Sequence, residues 1–252
     1  MEPGTPSVYG VAVSLADANR RYKQAARAIL DAYAERGPAP TDAVTPGQLH
    51  AAIEKFLNDS LRLESAHGER PWMDGGSVSE LGDYGITLLM DLGVWAQELG
   101  LRETDAEFDE VALAFGEWIV RHGGEIRTLD PVVDALARLA NRTREQQGLE
   151  QLTDLMTRIA QATAPRAKLD HAKRRASEPW RLLNFNRGVV ATRTHNPAIM
   201  SQVFDEIVRE LPTDAPQFFA EGMQQLEKHG YPLVVHETMT RYFDRWTRPR
   251  MH

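Results

Sequence analysis

Apolar residues recur along this chain at intervals of three, four and seven, the spacing that gives a helix one buried face. Leu15, Tyr22, Ala26, Ile29, Leu30 and Tyr33 form the first stripe, closed by Gly37-Pro38. Thr45-Pro46 opens the second helix, with Thr as N-cap and Pro where a missing N–H costs nothing. Its stripe runs Leu49, Ile53, Phe56, Leu57 and Leu61 and ends near Gly68. Ser77 to Glu80 and Thr104 to Glu107 both have the spacing of a capping box. The first precedes Leu81, Leu88, Leu89, Leu92, Trp95, Ala96 and Leu99, ending at Gly100; the second precedes Val111, Ala112, Phe115, Trp118 and Ile119. Phe108 shares the latter face, Gly123-Gly124 ends it, and Trp95 and Trp118 are both expected in the core. Asp130-Pro131 starts a fifth helix, and Leu149 to Ile159 marks a sixth that finishes before Pro165. Four more are predicted at roughly 178–194, 197–211, 215–229 and 232–246. Alternation at period two is confined to Val8–Val13 and Leu233–Val235, too little for a sheet. The predicted fold class is all-α.

The helices also repeat. Gly188 to His195 and Gly222 to His229 have identical spacing, and each His is followed closely by a proline, Pro197 or Pro232. From those prolines the next helices match in phase: Ile199 with Val234, Val203 with Thr238, Phe204 with Met239, Ile207 with Tyr242, Leu211 with Trp246. Both His residues sit where an imidazole can favour a helix C-terminus. Repetition of this kind predicts antiparallel helical hairpins stacked around a continuous core, roughly five of them, with an irregular closed bundle as the alternative. The C-terminal block resembles tetratricopeptide-type repeats. With Arg181 as position one of a 34-residue unit, the family's small residue falls on Gly188, its aromatic on Phe204 and its closing proline on Pro212. The next unit, from Ala215, keeps Gly222 and needs one extra residue before Pro232. Asn184 stands where the family prefers Trp, and Arg187 where Leu is usual. The resemblance implies an α-α superhelix that serves as a binding scaffold without chemistry of its own.

Composition narrows the classes further. With 26% charged residues and no cysteine, the chain is neither a disordered polymer nor a disulfide scaffold, and thiolate metal sites and thiol catalysis are excluded. The first residues lack the positive charge of a secretory leader, and no apolar run approaches the ~20 residues that cross a bilayer, so a cytoplasmic setting is expected. Residues 1–13 are expected to be a flexible start to a single helical domain over 14–252. Charge is uneven: residues 1–126 hold 10 Lys/Arg against 21 Asp/Glu, and residues 127–252 hold 19 against 15. An acidic part over 14–126 and a more basic repeat part over 127–252 follow from that asymmetry.

Familiar catalytic patterns stop short. His236-Glu237 begins like H-E-x-x-H, but Thr240 occupies the place of the second ligand. Glu64 and His67 have the E-x-x-H spacing that puts a carboxylate and an imidazole on one helix face, yet a di-iron bundle needs a second such motif and two further Glu. Gly75-Gly76-Ser77 precedes a helix whose start could hold an anion, although the capping box explains it more cheaply. The segment from Arg166 to Arg193 is richer. It gathers Arg166, Lys168, Lys173, Arg174, Arg175, Arg181, Arg187 and Arg193, interleaved with Trp180 and Phe185 and with Asn184, Asn186 and Thr192 for hydrogen bonds. Lys173, Arg174, Arg175, Arg181, Asn184, Arg187, Thr192 and Arg193 are therefore the candidate groove residues. Arg241, Arg245, Arg248 and Arg250 add charge at the C-terminus, and Trp72 stands in a loop where a binding hot spot is expected.

The expected function is a non-catalytic scaffold or adaptor for a protein or peptide partner, with no cofactor, no metal and no membrane, and with homodimerisation through end helices open to it. The alternatives are RNA or single-strand binding through 166–193, and a helical-bundle metal protein or enzyme built on Glu64 and His67.

Overall fold

A computed structural model of the chain describes residues 14–37, 44–67, 73–169 and 178–247, without the side chains of residues 63, 66, 67, 103 and 169. Trp72 lies outside the described residues. The described residues are all-α: α1 (Leu15–Arg36), α2 (Pro46–His67), α3 (Gly75–Glu98), α4 (Asp105–Arg121), α5 (Asp130–Arg142), α6 (Gln146–Ala162), α7 (Pro165–Leu169), α8 (Pro179–Arg193), α9 (Pro197–Glu210), α10 (Ala215–Lys228) and α11 (Leu233–Thr247). The short α7 is the one helix that periodicity did not announce. None of the described helices is long and apolar enough to cross a membrane. The chain divides into two compact units, Met1–Leu136 with Gln161–Leu169, and Ala137–Ala160 with Asp170–His252, so the division falls inside α5 and inside α6.

In the first unit α1 packs on α2 and α4, and α3 packs on the same two, closing a ring of four helices. Lys23 pairs with Glu54 (3.3 Å) while Leu30 meets Gly47, Phe56 lies over Gly85 while Val44 meets Trp95, and Ile119 lies over Gly82 while Phe115 lies over Gly85, so sequence neighbours run antiparallel; Arg21 and Glu110 (2.6 Å) join α1 to α4. The hairpin stack expected along the whole chain is therefore replaced here by a closed bundle. The reason lies in α4. Every residue from Val111 to Ile119 is buried, and a helix apolar nearly all round has to be surrounded rather than laid on a neighbour. Trp118 is wholly buried with Phe56 edge-on at 5.7 Å. Phe108 and Trp95 are only half-buried. The Trp95 indole, expected in the core, donates to the Val44 carbonyl at 3.1 Å.

Caps explain where these helices start. Thr45 and Gln48 form a reciprocal box, with Thr45 N–H to Gln48 Oε1 at 2.9 Å and Gln48 N–H to Thr45 Oγ1 at 3.4 Å. The expected box at Ser77 is displaced. Asp74 caps α3, accepting from Ser77 N–H (3.0 Å) and from the Ser77 hydroxyl (2.7 Å), because a carboxylate is the stronger acceptor at a helix start. The box at Thr104 does not form either: its hydroxyl donates to Leu101 O at 2.8 Å within a single 3₁₀ turn, Arg102–Thr104.

In the second unit α8 and α9 form one antiparallel hairpin and α10 and α11 another, with α9 against α11. Phe204 on α9 organises the core, with rings of Phe218, Phe219 and Tyr242 at 5.2–5.8 Å. The connecting turns are tied to one another. Arg193 at the end of α8 donates to Ala140 O (2.8 Å) and Thr143 O (2.6 Å), closing the C-terminal carbonyls of α5. Asn196 Nδ2 reaches Glu150 at 3.4 Å, and the His195 ring stands edge-on to Tyr231 at 5.6 Å. His195 carries φ 51°, the left-handed conformation that ends a helix sharply. The turns that follow α5, α8 and α10 thus share one edge of this unit.

The two repeat-equivalent glycines differ in what they face. A Cβ on Gly188 would overlap the Phe218 ring and lie 2.7 Å from Ile207 Cδ1, whereas on Gly222 it meets only the flexible Met239 side chain at 2.9 Å. Gly188→Ala is therefore expected to destabilise the protein by about 1–3 kcal/mol through overpacking. Gly222→Ala should stay within about 0.5 kcal/mol, its clash offset by better helix propensity. Urea unfolding of the two variants side by side checks the difference.

Candidate functional site

Lys173, Arg174 and Arg175 lie outside the described residues. The other five groove candidates sit on α8, and each is engaged within its own unit. Arg181 donates through Nε to Asp214 Oδ1 at 2.8 Å, with its guanidinium 4.3 Å over the Phe185 ring. Asn184 is fully buried, donating to Trp180 O at 2.8 Å and accepting from Arg187 Nη2 at 2.9 Å. Arg187 is 1% exposed; its Nη1 holds Glu206 Oε2 at 2.6 Å, and its Nε has no hydrogen-bond acceptor. Burial draws this guanidinium below its ordinary value, and the Glu206 carboxylate opposes that. Thr192 is buried and donates to Gly188 O at 2.9 Å. Arg193 holds the end of α5, as above.

These positions were expected to face a groove. Instead Asn184, Arg187 and Thr192 are turned inward, while Arg181 and Arg193 fasten α8 to the α9–α10 turn and to α5. The physical reason is that α8 is covered on more than one side, so polar residues at its covered positions need partners there.

On α11 basic residues face outward. Arg241, Tyr242 and Arg245, with Ser201 and Asp205 of α9, line a cleft of about 330 Å³. Arg241 Nη2 donates to Ser201 Oγ at 2.9 Å. The Tyr242 hydroxyl donates to Asp205 Oδ1 at 2.7 Å and lies 3.0 Å from Ser201 O. Burial and the Asp205 carboxylate push the Tyr242 phenol up to about 12. Arg245 lies 5.5 Å over the Trp246 ring. Neither arginine has a carboxylate partner among the described residues, so two guanidinium groups one helical turn apart face a cleft that contains a single carboxylate. Arg248 and Arg250 lie outside the described residues. Sequence reasoning named the two arginines but missed Ser201, Asp205 and Tyr242. The available signal was Tyr242 itself, a polar-tipped ring at the repeat position that Ile207 fills in the preceding hairpin.

Glu64, proposed as half of a metal motif, is held from α4: Arg121 Nη1 lies at 3.2 Å and His122 Nε2 at 3.3 Å. The His67 side chain lies outside those described. Among the described residues no three His, Asp or Glu side chains are grouped so that they could hold a metal ion.

Removing the Arg187 side chain leaves Glu206 and Asn184 without their buried partner. Arg187→Ala is expected to lower stability by about 3 kcal/mol, and Arg187→Met by less, because the methionine refills the space; chemical denaturation separates the two. The Tyr242 shift sets a second expectation. A phenol whose pKa is raised on folding contributes stability that is intact below its unfolded value near 10 and is lost as pH rises towards about 12. Tyr242→Phe should flatten stability across that alkaline window and remove one late-titrating tyrosinate from the ultraviolet absorbance titration.

Set against protein-family models, curated proteins and solved structures, the chain matches none of them.

Proposed function

We propose that this protein is a cytoplasmic, non-catalytic helical-repeat scaffold or adaptor that grips an acidic segment of a protein or peptide partner, its C-terminal hairpins built in the manner of tetratricopeptide-type repeats. The observation that carries the reading is the cleft between α9 and α11, where Arg241 and Arg245 have no carboxylate partner among the described residues while the arginines of α8 are engaged internally. Guanidinium groups recognise carboxylates in a planar, two-pronged geometry and lose less hydration than ammonium groups in doing so. Two of them beside the Ser201 hydroxyl suit an acidic side chain or a chain-terminal carboxylate, and Asp205 remains able to accept a neighbouring N–H. The hairpin arrangement supports this role because rigid helices fix the spacing of Ser201, Asp205, Arg241 and Arg245.

Affinity capture from lysate with the wild type and with Arg241→Glu/Arg245→Glu tests it, with and without nuclease, at low and high salt. A discrete protein that survives nuclease and binds the double variant about tenfold more weakly is the expected result. Recovery of nucleic acid alone, with binding that falls steeply with salt, would transfer the assignment to RNA or single-strand binding. Equal capture by both proteins would remove the cleft from the interface.

A further inference from the structure

We infer that the outward face of α3, in the first unit, is a second docking surface, and that its occupant is a basic amphipathic helix of a partner protein. The exposed positions of α3 from residue 80 onward include Glu80, Tyr84, Thr87, Met90, Asp91, Val94 and Glu98. They recur every three or four residues and form one strip about 27 Å long, from the rise of 1.5 Å per residue. Large apolar side chains occupy the middle of its length: Tyr84 is 52% exposed, Met90 41% and Val94 54%. Val44, 57% exposed, extends the strip at its C-terminal end, held there by the hydrogen bond from the neighbouring Trp95 indole to its carbonyl. Single exposed apolar residues are ordinary, but Tyr84, Met90 and Val94 lie on a face whose exposed positions recur every three or four residues, the spacing that one face of a second helix matches.

Charge selects the occupant. Helix α3 has four acidic residues and no lysine or arginine over its 24 positions. Asp83 is used internally, accepting from the Thr128 hydroxyl. With about 3.6 residues per turn, Glu80, Asp91 and Glu98 share the midline of this face, exposed and without an ion pair among the described residues, with Tyr84 on one side of that line and Val94 and Met90 on the other. The whole unit carries 13 Lys/Arg against 23 Asp/Glu. A second copy of this face would set carboxylates against carboxylates with no intervening base, so self-pairing is disfavoured. A helix whose docking face carries Lys or Arg along its middle and Leu-like residues beside them meets both the acidic line and the apolar side chains that border it. This surface differs in kind from the α9–α11 cleft, which is cationic and takes an acidic group, and it does not depend on the reading of that cleft.

The probe is a fluorescein-labelled, amidated 18-residue peptide of leucine and lysine at amphipathic helical spacing, with a leucine–glutamate peptide of the same pattern as control, read by anisotropy. The full chain is expected to bind the lysine peptide saturably at one to one and to ignore the glutamate peptide. Met90→Ser/Val94→Ser and, separately, Glu80→Lys/Asp91→Lys should each weaken binding about tenfold. All four positions are exposed, so the variants keep the fold, which circular dichroism verifies. Glu221→Lys/Glu227→Lys makes the same charge change on exposed positions of α10, in the second unit, and should leave affinity within about twofold. Equal weakening by the α10 and α3 charge reversals would reduce the effect to bulk electrostatics and overturn the proposal. So would equal binding of the two peptides, or sedimentation showing a wild-type dimer that Met90→Ser/Val94→Ser dissociates, which would make the occupant a second copy.

Discussion

An amphipathic helix cannot exist alone in water with its stripe uncovered, and how each stripe finds cover decides what this chain becomes. The first unit closes a ring, because α4 is apolar on nearly every side and offers surfaces to α1 and α3 at once. The second unit pairs α8 with α9 and α10 with α11 and sets α9 against α11. Each helix there hides a face against its hairpin partner, and Phe204 joins the two hairpins by touching rings from both α10 and α11. Gly188 is what permits the approach, since the Phe218 ring occupies the space a side chain would need. One sequence thus contains both of the common answers to the same requirement.

Charge inside the second unit follows from that packing. Helix α8 is enclosed, yet it carries Arg181, Asn184, Arg187, Thr192 and Arg193. Burial of a guanidinium is tolerated only where carboxylates and carbonyls replace its water. Glu206, Asp214, Ala140 and Thr143 supply that replacement, so these residues define the register between helices. Positive charge in a sequence is commonly read as an invitation to an anionic ligand. Here much of it is addressed to the protein's own backbone ends and carboxylates, while α11 turns Arg241 and Arg245 towards a cleft.

The helices, their order and most of their ends were legible from Leu, Phe and Ile spacing, because burial imposes a 3.6-residue period on any helix with one covered side. What the pattern withheld was partner choice. The stripe of α4 reads the same whether one neighbour covers it or three do, and only the three-dimensional ring shows that Leu113 and Glu117 are buried as well. Caps failed in an instructive way: Asp74 outcompetes Ser77 as an acceptor, and Thr104 turns its hydroxyl back to Leu101. The cleft of α9 and α11 was half visible, through Arg241 and Arg245. Ser201 and Asp205 joined it through a parallel pairing of helices some forty residues apart, which no local pattern encodes.

The division of the chain inside α5 and α6 bears on how the molecule is made. Neither unit is a continuous stretch of polypeptide. The first is completed only when Ile126 meets Thr163 in a parallel bridge, its amide bonding to Ala162 O at 2.8 Å and its carbonyl accepting from Ala164 at 2.9 Å. During synthesis from the N-terminus, the segment 137–160 therefore leaves the ribosome before the last piece of the first unit, and before the helices α8 to α11 of its own unit. The two units cannot mature one after the other as beads on a string. A nascent chain arrested near residue 160 would hold two unfinished cores at once, and that interval is when this protein would most depend on a chaperone.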